Sequence, residues 1–242
     1  MTGSEQMISG APRSHIHTDR RIYIVVPAYN EAACIRQVIQ DLKQYYPTVV
    51  VVDDGSCDRT AHEAAVGGAV VLRHVMNRGQ GASVQTGVRY CLQNSAEIIV
   101  TFDGDGQHQP EDVDALVNAV VEGGADIAIG SRFLGQAENM PLSRRIILKA
   151  GIIYSYFLHG LKLTDTHNGL RAFTREAAAK LNIKMDRMAH ADEILDQIRR
   201  NRLRMVEVPV RVVYTEYSLK KGQHSWHLFS VVTDYLMGKI FR

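Results

Sequence analysis

The stretch Ile98-Ile99-Val100-Thr101-Phe102-Asp103-Gly104-Asp105-Gly106-Gln107-His108 constrains this chain more than any other. Its first five residues are apolar or β-branched and read as a strand buried on both faces of a parallel sheet. The strand stops at two carboxylates separated by one glycine. In open α/β sheets ligands bind beyond the carboxyl ends of the strands, so Asp103 and Asp105 lie where a ligand is expected. Side chains two apart on extended chain point the same way, and adjacent carboxylates repel unless a cation lies between them. Such oxygen ligands suit Mg²⁺ or Mn²⁺, ions that usually bind together with substrate phosphates. Gln107 and His108 can complete the shell. The plainer alternative is a surface turn, because Asp-Gly is a common turn pair.

Other strand ends repeat the pattern. Ile22 to Val26 reads as a buried strand that stops at Pro27-Ala28-Tyr29-Asn30-Glu31, with Asn30 capping a helix over Glu31 to Tyr45. Val49 to Val52 is a second strand, ending at Asp53-Asp54-Gly55-Ser56. Either Asp could serve as a helix cap, but capping needs only one of them. A helix near Thr60 to Val66 and a short strand over Val70 to Arg73 follow. The loop Asn77-Arg78-Gly79-Gln80-Gly81-Ala82 can bring backbone close to a phosphate or ribose, yet it is neither a Walker A loop nor a dinucleotide fingerprint. Helices over Ala82 to Gln93 and from Pro110, and a strand over Asp126 to Gly130, complete a strict alternation. That order predicts a parallel, doubly wound α/β sheet.

Past Arg132 the rhythm changes. Pro141 to Leu163 is a long, weakly charged helical stretch that begins with Arg144, Arg145 and Lys149. Its apolar residues read as core first, although basic residues beside an apolar face also describe helices lying on membranes. A polar loop from Asp165 enters a strand at Arg171. Thr174 caps an alanine-rich helix, Asp192 and Glu193 open the next, and Val206 to Val212 is a late strand. Trp226 to Ile240 has apolar residues at helical spacing.

The 242 residues suit one α/β domain with a large core. A net charge of +2 gives no reason to expect nucleic acid. Cys34, Cys57 and Cys91 lack metal-ligand spacing and fit a reducing cytosol. No run of 18 uncharged apolar residues occurs, so no transmembrane helix is expected. We therefore expect a flexible leader over 1–20, one α/β domain over 21–222 and an amphipathic helix over 223–242, in a cytoplasmic protein peripheral to the inner membrane face.

Five stretches then coincide in order: Pro27 to Glu31, Val52 to Ser56, Asn77-Arg78-Gly79, Asp103 to His108, and Gly130-Ser131-Arg132. Together they resemble the family 2 glycosyltransferases of the GT-A fold, especially the dolichyl-phosphate mannose synthases and bacterial polyprenyl-phosphate sugar transferases. Asp165 with Asn168 to Phe173 adds a later match. The resemblance covers about Ile22 to Gly222 and implies a mostly parallel sheet with a C-terminal acceptor-side helical segment. It implies that Pro27, Tyr29, Glu31, Val52, Asp54, Asn77, Gly79, Asp103 and Gly104 line the nucleotide pocket, with Asp54 on the base. Asp103, Asp105 and Gln107 would hold Mg²⁺ or Mn²⁺, and Lys220 and Lys221 would lie on a loop that closes over the diphosphate. Arg132 would approach the phosphates, with Arg144, Arg145 and Asp165 toward the acceptor. Many relatives in that branch carry membrane helices after the catalytic domain; here one amphipathic stretch follows, so surface attachment, with or without a small membrane partner protein, is the expectation.

The implied reaction is inverting transfer from a UDP- or GDP-sugar to a polyprenyl phosphate or a surface glycan. A cation and basic groups would offset the charge on the departing diphosphate. A hydroxyl acceptor needs a carboxylate base, for which Asp192 and Glu193 are the candidates; a lipid phosphate needs none, and Arg132, Arg144 and Arg145 would hold it. Two rivals remain: a sugar-1-phosphate nucleotidyltransferase, which wants a basic glycine-rich loop where Pro27 to Glu31 stand, and a non-catalytic nucleotide-sugar-binding scaffold.

Overall fold

The structure is a computed structural model that describes residues 19–186 and 189–215. The leader over 1–18, Lys220, Lys221 and the expected helix over 223–242 lie outside the described residues. Seven strands form one sheet. In chain order the elements are β1 (Ile22–Ala28), α1 (Ile35–Lys43), β2 (Thr48–Asp53), α2 (Thr60–Val66), β3 (Val70–Arg73), α3 (Gln80–Gln93), β4 (Ile98–Thr101), α4 (Asp112–Val121), β5 (Ile127–Glu138), α5 (Leu142–His159), β6 (Arg171–Thr174), α6 (Arg175–Lys180), α7 (His190–Arg200) and β7 (Met205–Val213).

The strands lie in the order β3-β2-β1-β4-β6-β5-β7. β6 runs antiparallel between β4 and β5, and the remaining pairings are parallel. The strict alternation before Arg132 predicts a parallel, doubly wound sheet, and the antiparallel strand β6 stands between β4 and β5 in it. β6 enters directly from the Asp165–Leu170 loop, so its first residues reach the carboxyl end of β4.

Alternate side chains of β1 and β2 feed two cores. Ile24, Val26, Val49 and Val51 pack with Ile35, Ile39 and Leu42 of α1 and with Val113, Leu116 and Val117 of α4. Val25, Val50 and Val52 pack on the opposite face with Val84 and Val88 of α3 and with Ile194, Leu195 and Ile198 of α7. Period-2 alternation in the strands and 3.6-residue spacing in the helices thus produce a helix–sheet–helix sandwich.

β1 runs through Pro27 to Ala28, where the sequence suggests that the proline ends it. Val25 accepts from Phe102 on the β4 side, and Ala28 from Asp54 on the β2 side. Pro27 therefore faces β4, whose ladder with β1 ended at Val25. Its missing N–H forfeits no bond. Asn30 does not cap α1 either. It has φ +53, and α1 starts at Ile35.

α5 departs furthest from expectation. Only Gly151, Ser155 and His159 are buried, while Ile146, Ile153 and Phe157 are exposed, Phe157 by 81%. Leu142, Ile146, Ile153, Tyr156 and Phe157 are surface rather than core, and Ile147, Leu148, Ile152 and Leu158 are half-buried.

Candidate active site

Three segments converge beyond the carboxyl ends of β1, β2 and β4. The turn after β1 is joined to the start of α2: Asn30 N–H donates to Ser56 Oγ (2.9 Å), Glu31 N–H to Thr60 Oγ1 (2.8 Å), and Cys57 N–H to Asn30 Oδ1 (3.0 Å). Glu31 is buried and Tyr29 is half exposed at this mouth. Asp53 accepts from Ser56 N–H and pairs with Arg73 at 3.0 Å.

Asp54, 3% exposed, organises the Asn77–Gly79 loop. Its Oδ1 meets His74 Nδ1 at 2.7 Å and accepts from Arg78 N–H at 3.0 Å; its Oδ2 accepts from Gly79 N–H at 2.6 Å. A carboxylate oxygen has two lone pairs, so Oδ2 keeps one acceptor position beyond the Gly79 amide. Gly55 is required on two grounds. Its φ is +70, and a Cβ there would lie 2.6 Å from the Met76 carbonyl carbon. Asn77 is exposed, and Val52 lies fully buried beneath the turn.

At the end of β4 the two acids behave differently. Asp103 accepts from Gln80 Nε2 at 3.1 Å and meets His108 Nε2 at 3.2 Å. Burial opposes its ionisation, but His108, Arg171 and Arg132 outweigh that and hold its carboxyl below the usual range. Asp105 accepts only the Gln107 N–H, at 3.0 Å, among the described residues. Burial and then the Asp103 charge push it up to about 6. Gln107 is buried beside them, and the Gly104 carbonyl faces Cys34 Sγ at 3.2 Å.

Among the described residues no three His, Cys, Asp or Glu side chains are placed to hold a metal by themselves. The residues present still fit a hard divalent ion. Mg²⁺-type sites use one or two protein carboxylates and complete the shell with phosphate and water. A carboxyl raised by burial and by its neighbour's charge is one that such an ion would relieve.

Arg132 is where expectation and structure diverge. It is 6% exposed, and its guanidinium is engaged on every side: Nε to Asp165 Oδ2 at 2.6 Å, one Nη to Tyr214 Oη at 2.7 Å, the other to the His167 carbonyl at 3.0 Å. Burial opposes its charge, and the Asp165 carboxylate outweighs burial and raises its pKa. Asp165, expected toward the acceptor, is 1% exposed and serves this pair instead. Arg144 lies over the Tyr214 ring at 5.1 Å, which joins it to Arg132 through one aromatic side chain; Arg145 is exposed nearby.

The two candidate bases also carry structural bonds. Asp192, 1% exposed, meets His159 Nε2 at 3.2 Å, tying α7 to α5. Glu193 accepts the Lys184 and Met185 N–H groups at 2.8 and 2.7 Å. Neither presents an open carboxylate to solvent.

Sequence reasoning passed over several residues that build the site. Gln80 and His74 hold Asp103 and Asp54. Thr101 Oγ1 donates to the Gly169 carbonyl at 2.7 Å, which brings Gly169 against Asp103. Arg171 and His190, with Pro27, Gln80, Thr101, Asp103 and Gly169, line a cleft beside Asp103. For Arg171 the signal was its place in the Asn168 to Phe173 match, which assigned it no role; for Tyr214 the sequence held none.

Residues 23–181 match the family model described as Glycosyl transferase family 2. The chain belongs to this family. This glycosyltransferase is 31% identical over 244 residues to the UDP-N-acetylglucosamine–dolichyl-phosphate N-acetylglucosaminyltransferase of Methanococcus voltae, covering 92% of this chain and 97% of that one. It is 32% identical over 233 residues to the polyprenol monophosphomannose synthase of Mycolicibacterium smegmatis, covering 90% and 87%. Its fold matches the crystal structure of glucosyl-3-phosphoglycerate synthase from Mycobacterium tuberculosis, solved with Mn²⁺, UDP and phosphoglyceric acid. That match has a TM-score of 0.68 and 21% identity, and covers 89% of this chain and 78% of the other. The glycosyltransferase fold is thus GT-A, with the carboxylates of β2 and β4 at the ligand end of its sheet.

Proposed function

We propose that this glycosyltransferase moves a sugar from a nucleoside diphosphate donor to a polyprenyl phosphate at a membrane surface. The observation that carries the reading is the pair of dissimilar acids at the end of β4. Asp103 is held ionised by His108 and the nearby arginines, and Asp105 is left without a cationic partner at hydrogen-bond distance. Asp105, Asp103 and Gln107 would hold Mg²⁺ or Mn²⁺. That ion would offset the charge gathering on the diphosphate as the glycosidic bond breaks. Tyr29, Glu31, the free lone pair of Asp54 and the Gly79 loop would take the nucleoside, with Gly104 and Pro27 letting backbone approach it.

A phosphate acceptor is already ionised and needs no general base, which agrees with Asp192 and Glu193 being occupied by structural bonds. Arg144 and Arg145 would hold the acceptor phosphate, while Arg132 keeps Asp165 and Tyr214 in place beneath them. α5 supports the membrane setting. Ile146, Ile153 and Phe157 are exposed alongside Arg145 and Lys149, the composition of a helix lying on an anionic surface. Among the described residues no helix is long and apolar enough to cross a membrane.

The test is nucleoside diphosphate release from UDP- and GDP-sugars with a polyprenyl phosphate in detergent, with Mn²⁺ or with EDTA. Release that needs both lipid and ion is expected, and Asp105→Asn should abolish it. Undiminished turnover in EDTA or in the variant would refute the ion's role. Pyrophosphate release from a nucleoside triphosphate would favour the nucleotidyltransferase instead.

A further inference from the structure

Arg171 is the anomaly of this molecule. It sits on β6, paired across the sheet with Thr101 on one side and Ile129 on the other. It is 4% exposed. Among the described residues its Nε has no hydrogen-bond partner and no carboxylate lies within 4.0 Å of its guanidinium. Burying an unpaired guanidinium is costly. Arg132 shows that this fold can pair a buried arginine with its own carboxylate, Asp165. Arg171 has been left without one, and it lines the cleft beside Asp103.

The charges around it narrow the missing partner. Asp103, Asp165 and Asp192 all act on Arg171 through space without touching it. Three acids make a poor setting for a second anion. The cleft instead alternates acceptors and donors: the Asp103 carboxylate, the Gln80 amide that also reaches Asp103, the Arg171 guanidinium and the His190 ring. Hydroxyl groups donate and accept at once, so a polyhydroxylated ring satisfies such a lining where a phosphate would satisfy only the arginine.

We propose that Arg171 reads the hydroxyls of the donor's sugar ring, which makes it a specificity-determining residue of this transferase. The assignment rests on the nucleotide-sugar reading above. An arginine that fans several donors in one plane discriminates ring stereochemistry strongly, because a misplaced hydroxyl leaves buried donors unpaired.

The experiment uses the full chain with Mn²⁺ and compares each intact donor with its own sugarless diphosphate. UDP-glucose and UDP-N-acetylglucosamine are set against UDP, and GDP-mannose against GDP, by calorimetric titration. For the donor that the wild type prefers, Arg171→Met is expected to weaken the intact nucleotide-sugar at least tenfold while changing the bare diphosphate less than twofold. Its melting temperature should equal or exceed the wild type's, since an unpaired buried charge has been removed. Arg171→Lys keeps the charge and loses the planar fork, and should show the same selective loss. Equal weakening of sugar-nucleotide and diphosphate would overturn the proposal in favour of a phosphate contact. A lowered melting temperature with both affinities intact would overturn it in favour of a structural role. A wild type that binds UDP or GDP but gains nothing from the attached sugar defeats the inference alone; one that binds none of these ligands defeats the donor reading as well.

Discussion

Gly169 offers a test in which activity and stability should separate. A Cβ built there lies 2.2 Å from both oxygens of Asp103 and 2.4 Å from its Cγ. Real Cβ contacts essentially never fall below 3.0 Å, so in Gly169→Ala one side must move. The backbone is the stiffer party. The Gly169 carbonyl is held by Thr101 Oγ1 at 2.7 Å, and the next residue's N–H by Asn168 Oδ1 at 3.0 Å. Asp103 is held only at its tip, by Gln80 and His108. Its carboxylate therefore retreats from 2.2 Å to at least 3.0 Å. A displacement on the order of 1 Å at a reacting centre costs about 10²-fold in rate, or about 2.7 kcal/mol of transition-state stabilisation. Folding is nearly indifferent. The clash falls on the end of a side chain, and replacing glycine by alanine restricts the unfolded chain by about 0.4–1 kcal/mol in favour of the folded state. The assay is kcat for diphosphate release at saturating donor and Mn²⁺, paired with a calorimetric melt. Gly87→Ala is the contrast, since its Cβ would strike Val25 Cγ1 at 2.2 Å in the core; it should melt earlier with kcat intact in the folded fraction. A Gly169→Ala enzyme with wild-type kcat, or one whose lost activity merely tracks lost stability, refutes the reasoning.

Three further expectations follow from the same geometry. Asp165→Asn leaves Arg132 buried without its counter-charge, and breaking such a pair costs about 3–5 kcal/mol; urea melts should record that loss. Asp105 lies at about 6 in the folded chain against 3.8 ordinarily, so between those values the folded state holds the extra proton and the ion-free protein loses stability as pH rises. Asp105→Asn should flatten that slope, and the melting shift produced by Mn²⁺ with UDP or GDP should shrink as pH falls through about 6, because the proton competes with the ion. Phe157→Glu, on the exposed face of α5, should change folding stability by no more than about 0.5 kcal/mol, yet reduce cosedimentation with vesicles containing phosphatidylserine; unchanged binding would remove α5 from the membrane reading.

The legible part of the fold was what local pattern dictates. Apolar runs such as Val49 to Val52 and Ile98 to Thr101 read as buried strands and are buried strands, and an open α/β sheet places ligands beyond such carboxyl ends. Thr174 caps α6 as its position suggests, accepting from Ala177 N–H at 3.1 Å. What escaped depends on pairing across long separations. Nothing within Arg171-Ala172-Phe173-Thr174 says that it slips between β4 and β5, because strand order is decided by loop reach and by both neighbours' faces. The fate of α5 was equally hidden. Its apolar residues pass for a core stripe until one sees that Gly151, Ser155 and His159 supply the buried face. The acids were found but not their partners: no spacing rule links Asp54 to His74, Asp165 to Arg132, or Asp192 to His159.

Those missed partnerships sort the charged residues of the site by their duties. Asp54 is occupied by a loop, Asp165 by Arg132 and Glu193 by two backbone amides, so each carboxylate has a structural bond that folding itself rewards. Among the described residues Arg171 has no carboxylate partner and Asp105 only the Gln107 amide, with no cation beside it; both carry displaced pKa values, the acid raised and the arginine lowered, burial being the first cause in each case. A chain selected for stability alone would neutralise or pair them, as it paired Arg132. Two groups of opposite sign beside the same Asp103, neither with a charged partner within reach among the described residues, are where the proposed ligands would complete the electrostatics: cation and diphosphate on the Asp105 side, sugar hydroxyls on the Arg171 side. Substituting either by a neutral isostere should raise the ion-free melting temperature while impairing the enzyme, and it should impair a different portion of the donor in each case.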